Sequence, residues 1–131
     1  RPDEWAVVTS GSLRIAEPRL AALPVPPRVV VTADDVRRGK PDPEPYLVAA
    51  GRLGVADPSR CVVVEDAPAG VAAATAAGMS SVAVVTTHRR EELPASVVVQ
   101  DLRSVGVRHR AGGLVLTISS DPETNSPAAR L

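Results

Sequence analysis

The sequence predicts an α/β fold in which a parallel β-sheet carries helices on both faces. Two observations predict this class. Short valine-rich runs alternate along the chain with stretches of helical length, an alternation typical of βαβ units with right-handed crossovers. The runs are also apolar at consecutive positions, as in strands that are buried on both faces. With 131 residues and 44% hydrophobic content, the chain can bury one core, so we expect a single domain.

The elements follow from runs of β-branched residues and from turn signals between them. Strands are predicted at Ala6–Thr9, Val29–Thr32, Val62–Glu65, Val82–Val85 and, more weakly, Val97–Val99. Helices are predicted at about Leu13–Leu23, Glu44–Leu53 and Ala69–Ala77. We expect the core to span residues 1–105, and residues 106–131 to hold one strand-like segment, Leu114–Ile118, followed by a frayed tail from Ser119.

The bulk composition excludes several classes of function. The formal net charge is zero, and the scattered arginines form no basic block, so we expect no binding to nucleic acid or to a membrane surface. No apolar run approaches the ~20 residues needed to cross a bilayer. Aromatic residues make up 2% of the chain, which argues against flavin or single-stranded RNA as a ligand. The lone cysteine, Cys61, fits a reducing cytoplasm, and no protein partner is indicated.

Two adjacent acids, Glu65 and Asp66, follow the apolar run Val62–Val64 and precede a helix. They therefore lie at the carboxyl end of a strand, where open α/β sheets bind ligands. Neighbouring carboxylates repel unless solvent, a cation or a basic group neutralises them. Mg²⁺ prefers oxygen ligands and is usually held by one or two carboxylates together with phosphate and water. A helix N-cap with a solvated neighbour is the alternative, and the pair alone does not decide between them.

Lys40 is the only lysine, whereas the other fourteen cationic residues are arginines. A lysine ammonium acts as a compact point charge on a phosphate or carboxylate oxygen, which a planar guanidinium does less well in a confined site. Pro41 disfavours helix at Lys40, and a helix starts a few residues later. The alternative is a surface lysine that has no function.

Ser10, Gly11 and Ser12 follow the first strand and precede the first helix. Serine hydroxyls and an unobstructed Gly11 N–H at a helix N-terminus are able to hold an anion. A plain Ser/Thr N-cap explains much of the same pattern, so this segment alone is a weak signal.

Taken in order, these three segments resemble the second, third and fourth motifs of the haloacid dehalogenase (HAD) superfamily. They are Val-Val-Thr-Ser-Gly-Ser, ending at Ser12; Gly-Lys-Pro, centred on Lys40; and Val-Glu-Asp-Ala-Pro-Ala-Gly, ending at Gly70. The resemblance covers roughly Trp5 to Val105 and extends to sugar-phosphate phosphatases and β-phosphoglucomutase. It implies a three-layer, Rossmann-like fold and a Mg²⁺-dependent phosphatase for small phosphorylated sugars or polyols.

The resemblance also implies a role for each site residue. Ser10, with the Gly11 N–H, would hold the transferring phosphoryl group. Lys40 would neutralise that group and the aspartyl nucleophile. Asp66 would bind Mg²⁺, with Glu65 assisting directly or through water. Such enzymes work through an aspartyl-phosphate intermediate.

The family's first motif, an apolar strand ending in Asp-x-Asp, has no counterpart in this sequence. Asp34-Asp35 follows the serine motif and lacks the spacing. Nucleophile, general acid and substrate-selecting cap are thus all missing, and the missing strand would lie between the strands that carry Ser10 and Asp66. We expect the chain to be the C-terminal part of a longer enzyme or a truncated relative, and to be inactive alone.

Other interpretations are a phosphomutase of the same family and a non-catalytic module that binds phosphate or Mg²⁺. Bacterial response-regulator receivers use similar residues, but in the order acids, hydroxyl, lysine, whereas here the hydroxyl comes first. His88 follows the last core strand, and we expect it to be solvated; a place near the mouth of the site is the alternative.

Overall fold

A computed structural model of the chain describes residues 1–119. Its strands are β1 (Ala6–Val8), β2 (Val29–Val31), β3 (Val62–Glu65), β4 (Ser80–Val84), β5 (Val97–Val99), β6 (Val105–Arg110) and β7 (Gly113–Ile118). Its helices are α1 (Leu13–Ala21), α2 (Glu44–Arg52) and α3 (Pro68–Ala76). All the strands and helices predicted before residue 105 are present, and their ends differ from the predicted ones by at most two residues.

The parallel strands form two separate sheets. β1 pairs with β2, while β3, β4 and β5 form a second sheet in that order. Within residues 1–119, β1 and β3 make no pairing with each other, so each has an edge without a neighbouring strand. This gap lies where the family resemblance places its missing strand.

α2 and α3 pack together against one face of the strands. Their core cluster contains Tyr46, Ala50, Val63, Ala73 and Met79, with Val8 of β1 at its edge. Small alanine side chains on α3 allow the helix to lie close to the sheet. α1 is packed thinly by comparison, because only Ala16 is buried. Among residues 1–119, no helix has the length and apolar character needed to cross a membrane.

Residues 105–118 form an antiparallel hairpin, which corrects the expectation that regular structure after residue 105 is limited to one strand-like segment. β6 and β7 pair from Val105 opposite Ile118 to Arg110 opposite Gly113. Glycines allow this tight turn, because Gly112 has a φ of 97°. Because β6 contains arginines, its sequence does not resemble a strand. The strand is stabilised by pairing with β7 and by contact of Val105 with the core. The predicted tail beyond Ser119 lies outside the described residues.

Candidate active site

Lys40 reaches across the gap from the loop that precedes α2. Its Nζ donates to the carbonyl oxygen of Val8 on β1, at 3.1 Å, and forms a salt bridge with Glu65 on β3. The ammonium also lies 5.0 Å from the centre of the Tyr46 ring, within the range of a cation–π contact. The Lys40 side chain is 10% exposed, so it is not a surface lysine but a bridge between the two sheets.

The Glu65 carboxylate, at the end of β3, accepts four hydrogen bonds. Its Oε1 accepts from Lys40 and from the Tyr46 hydroxyl, at 2.7 Å. Its Oε2 accepts from the backbone N–H groups of Asp66 and Ala67, at 3.0 and 3.2 Å. Burial alone would raise the pKa of Glu65, but the hydrogen bonds from Lys40 and Tyr46 outweigh it and the pKa is lowered. Burial, followed by the charge of Glu65, raises the pKa of Tyr46. The carboxylate therefore stays ionised, and the phenol stays protonated as a donor.

Gly70 makes room for this carboxylate in the first turn of α3. A Cβ added at Gly70 would lie 2.0 Å from Cδ of Glu65, far inside van der Waals contact. Gly70 is thus required by the close approach of the Glu65 side chain, and not by an unusual backbone conformation.

Asp66 has very different surroundings from those of Glu65, because its side chain is exposed. The Thr87 hydroxyl donates to Oδ2 of Asp66 at 3.0 Å, and Nδ1 of His88 lies 3.2 Å from the Asp66 carbonyl oxygen. No hydrogen bond from the rest of residues 1–119 reaches Oδ1, which leaves one carboxylate oxygen available to a ligand.

Ser10 is exposed and caps no helix. The backbone N–H of Leu13, at the start of α1, donates instead to Oδ2 of Asp34, at 2.9 Å. Ser12 stands at the N-cap position of α1, as the Ser/Thr N-cap interpretation expects, but its side chain makes no capping hydrogen bond. The Gly11 N–H is not free as expected, because it donates to Oγ1 of Thr9 at 3.1 Å. Its role in binding phosphate stays a prediction, and requires that contact to open.

Asp35 is held in a structural network. It accepts from the N–H and the hydroxyl of Thr32, both at 2.8 Å, and from Arg52 at 2.7 Å. Since Asp34 is engaged at the start of α1, both acids of this pair have structural partners, and neither lines the cleft.

A cleft of about 520 Å³ opens between β1 and β3, at the carboxyl ends of the strands. Its lining includes Val8, Ser10, Lys40, Val64, Glu65 and Asp66. The fold thus brings the hydroxyl, the ammonium and both acids to one space. Part of this cleft is the gap where the family resemblance places its missing strand.

The carboxylate oxygens at the cleft are able to supply some of the ligands of a Mg²⁺ site. Asp66 offers one oxygen at the cleft, in line with a cation held by one or two carboxylates and substrate phosphate. Glu65 has both oxygens engaged by protein donors, so a direct bond to a metal requires one of these contacts to break. Within residues 1–119, no group of three or more His, Cys, Asp or Glu side chains converges on one point.

Three residues at the site were not singled out by the sequence as functional. Tyr46 is a core residue of α2 whose hydroxyl happens to meet Glu65, and no local pattern distinguishes it from any buried tyrosine. Thr87 and His88 lie in the loop after β4, and His88, expected to be solvated, is half-buried. Their contact with Asp66 depends on the path of that loop, which short-range sequence patterns do not encode.

Comparisons with known proteins identify the family. A model of the haloacid dehalogenase-like hydrolases matches residues 3–78. Hexitol phosphatase A of Escherichia coli is 46% identical over 117 residues, covering 86% of this chain and 52% of that protein. Validoxylamine A 7'-phosphate phosphatase of Streptomyces hygroscopicus is 48% identical over 106 residues, covering 79% and 49%. The chain thus spans about half the length of the curated relatives it matches.

Solved structures agree with this assignment. CbbY from Rhodobacter sphaeroides, in complex with phosphate, has a TM-score of 0.66 at 32% identity, covering 73% of this chain and 45% of that one. β-Phosphoglucomutase from Clostridium difficile has a TM-score of 0.63 at 29% identity, covering 73% and 42%. With its lysine, serine and paired acids gathered at one cleft, the chain belongs to the haloacid dehalogenase-like hydrolase family.

Proposed function

We propose that the protein containing this chain is a Mg²⁺-dependent phosphatase for small phosphorylated sugars or polyols. The chain would supply the groups that hold the phosphoryl group and the metal. The observation that carries this proposal is the meeting of Ser10, Lys40 and Asp66 at one cleft. The names of its relatives, which include a hexitol phosphatase and glycerol-1-phosphate phosphohydrolases, support this substrate class.

Each residue has a distinct proposed task. The Ser10 hydroxyl donates to a phosphoryl oxygen, and the Gly11 N–H becomes a second donor once Thr9 turns away. Lys40, oriented by Glu65, places a positive charge beside the phosphoryl group, and such preorganised charge stabilises the transition state. Asp66 holds Mg²⁺, which when bound withdraws negative charge from the phosphoryl oxygens.

The nucleophile is proposed to be an aspartate outside these 131 residues, on a strand that fills the gap between β1 and β3. Its carboxylate oxygen attacks phosphorus, and the bond from phosphorus to the sugar oxygen breaks while a general acid protonates the leaving alcohol. Water then hydrolyses the aspartyl-phosphate to inorganic phosphate and the free carboxylate. Because Asp34 and Asp35 are engaged elsewhere, the isolated chain is expected to be inactive.

Phosphate release by the full-length protein tests this proposal. The substrates are hexitol phosphates, glycerol phosphate and 2-deoxyglucose 6-phosphate, each with Mg²⁺ and with EDTA, and the 131-residue chain is assayed in parallel. Asp66→Asn should abolish release. Asp57→Asn should not, because Asp57 contacts Ser59 before β3, at the opposite end of that strand. Absence of Mg²⁺-dependent release from every substrate contradicts the proposal.

A phosphomutase is the second candidate, favoured by the likeness to β-phosphoglucomutase. In a mutase, the aspartyl-phosphate returns its phosphoryl group to a sugar hydroxyl instead of to water. Incubation with β-glucose 1-phosphate separates the two, since a mutase forms an isomeric sugar phosphate and releases no phosphate. A protein that binds phosphate but catalyses neither reaction would be a non-catalytic binding module.

A further inference from the structure

The loop that follows β4 contacts both the side chain and the backbone of Asp66. The Thr87 hydroxyl donates to Oδ2 of Asp66 at 3.0 Å and lies 3.4 Å from the Asp66 carbonyl oxygen. Nδ1 of His88 lies 3.2 Å from that carbonyl oxygen and 3.0 Å from the Thr87 hydroxyl. With a proton on Nδ1, His88 donates to these oxygens, and the Thr87 hydroxyl remains free to donate to the carboxylate.

Parallel pairing of β3 with β4 brings these residues together. Glu65 lies opposite Ala83 in the register, so the segments that leave the two strands start side by side. Asp66 is the first residue beyond β3 and Thr87 the third beyond β4. A β-branched threonine has few side-chain rotamers, which makes it a stiff support for the acid beside it.

We propose that Thr87 is a positioning residue for a divalent cation held by Asp66. The hydrogen bond to Oδ2 fixes the orientation of the carboxylate and leaves Oδ1 open to the cleft. This inference rests on the proposed function, because it assigns the cation to Asp66. It adds a residue that none of the three sequence motifs contains.

The hydrogen bond from Thr87 orients the Asp66 carboxylate before the cation binds. An exposed aspartate without this contact would sample several rotamers, and a bound cation would have to select one of them at an entropic cost. Hydrogen bonds to ligating carboxylates commonly determine metal affinity, and their loss typically lowers it on the order of 10- to 100-fold. A purely structural role for Thr87 would instead tie down the loop and leave the affinity unchanged.

Titration of the full-length protein with Mn²⁺, followed by NMR, tests the proposal without requiring catalysis. Mn²⁺ broadens amide signals near its site, so we expect signals around Asp66 to broaden first. Thr87→Val removes the hydroxyl at nearly constant volume and should raise the Mn²⁺ concentration needed by about 10-fold or more. Thr87→Ser restores the donor and should recover most of the affinity.

Thr75→Val is the matched control, because the Thr75 hydroxyl donates only to the Val71 carbonyl within α3. It should bind Mn²⁺ like the unsubstituted protein. Equal affinity of Thr87→Val and the unsubstituted protein overturns the role of Thr87 while leaving the proposed function intact. Failure of the unsubstituted full-length protein to broaden near Asp66 contradicts the metal role of Asp66, and with it the proposed function. Amide spectra of each variant show separately whether it is folded.

Discussion

Glu65 and Asp66 are neighbours in sequence but have opposite surroundings. The Glu65 side chain is 9% exposed and accepts four hydrogen bonds, whereas Asp66 is exposed and keeps Oδ1 open. Glu65 is the last residue of β3 and its side chain contacts Lys40 and Tyr46, whereas Asp66 lies beyond the strand. One acid therefore holds Lys40 in place, and the next is available to a ligand at the cleft.

Lys40→Arg should reduce kcat/KM of the full-length enzyme on the order of 10²–10³, a loss typical of one positioned group that stabilises the transition state. The charge is kept, but a planar guanidinium does not fit between Glu65 and the Tyr46 ring as the compact ammonium does. Arg38→Lys is the control in the same loop, because Arg38 is exposed, and it should be close to neutral. Normal turnover of Lys40→Arg would contradict the role of Lys40.

Asp35 makes stability depend on pH in the acid range. Its hydrogen bond from Arg52, and then those from Thr32, lower the pKa of Asp35 from 3.8 to about 2. A lowered folded-state pKa stabilises the fold above the unfolded-state pKa, and this contribution is lost as the pH falls toward the folded-state value. The free energy of unfolding in urea should therefore decrease between pH 4 and pH 2.

Asp35→Asn should remove this part of the pH dependence. Asp3→Asn is the control, because Asp3 makes no hydrogen bond to another of residues 1–119, and it should leave the profile unchanged. A profile for Asp35→Asn that matches the unsubstituted chain between pH 4 and pH 2 would show that the Asp35 network does not stabilise the fold.

At the scale of elements, two helical glycines should respond oppositely to alanine. Gly70→Ala places a Cβ 2.0 Å from the Glu65 carboxylate, so it should destabilise the chain by about 1–3 kcal/mol, as overpacking does. Gly51→Ala, in α2, meets nothing within 4 Å and should stabilise it by up to about 1 kcal/mol, because alanine favours helix over glycine. Urea denaturation measures both, and equal effects would mean that Glu65 moves aside without cost.

Most elements of the core could be predicted from sequence, because runs such as Val62–Val64 carry their own signal. The hairpin strand β6 could not, because alternating arginines resemble a solvated loop until β7 pairs with them. That Ser10, Lys40 and Asp66 lie at one cleft could be predicted because each follows an apolar strand or breaks the composition, and their roles stay predictions. Contacts between loops, such as that of Thr87 with Asp66, depend on tertiary structure alone.

At the scale of the whole molecule, apolar surface is uncovered on one face of β3, the strand beside the gap between the two sheets. Val62 and Val64 of β3 are 45% and 42% exposed, although strands of a parallel sheet are normally covered on both faces. Uncovered apolar surface beside an unpaired strand edge favours association. We therefore expect the isolated chain to form oligomers as its concentration rises.

Sedimentation over a range of concentrations tests this expectation, and Val62→Lys should shift the chain toward monomer because a charge there opposes apolar contact. Val25→Lys is the control, since Val25 is 53% exposed in the loop between α1 and β2, and it should leave association unchanged. A chain that stays monomeric at all concentrations would show that this apolar surface does not cause association.

Lys40 also determines whether the edge of β1 is accessible to another strand. Thr9 N–H donates to Val31 on β2, and in a trans peptide the Val8 carbonyl then points the other way, into the gap. The Lys40 ammonium donates a hydrogen bond to this carbonyl oxygen. Lysine charges at the edge of a sheet are known to protect against aggregation. A strand that pairs with β1 at Val8 has to displace the ammonium, so filling the gap and freeing Lys40 from Val8 are a single event.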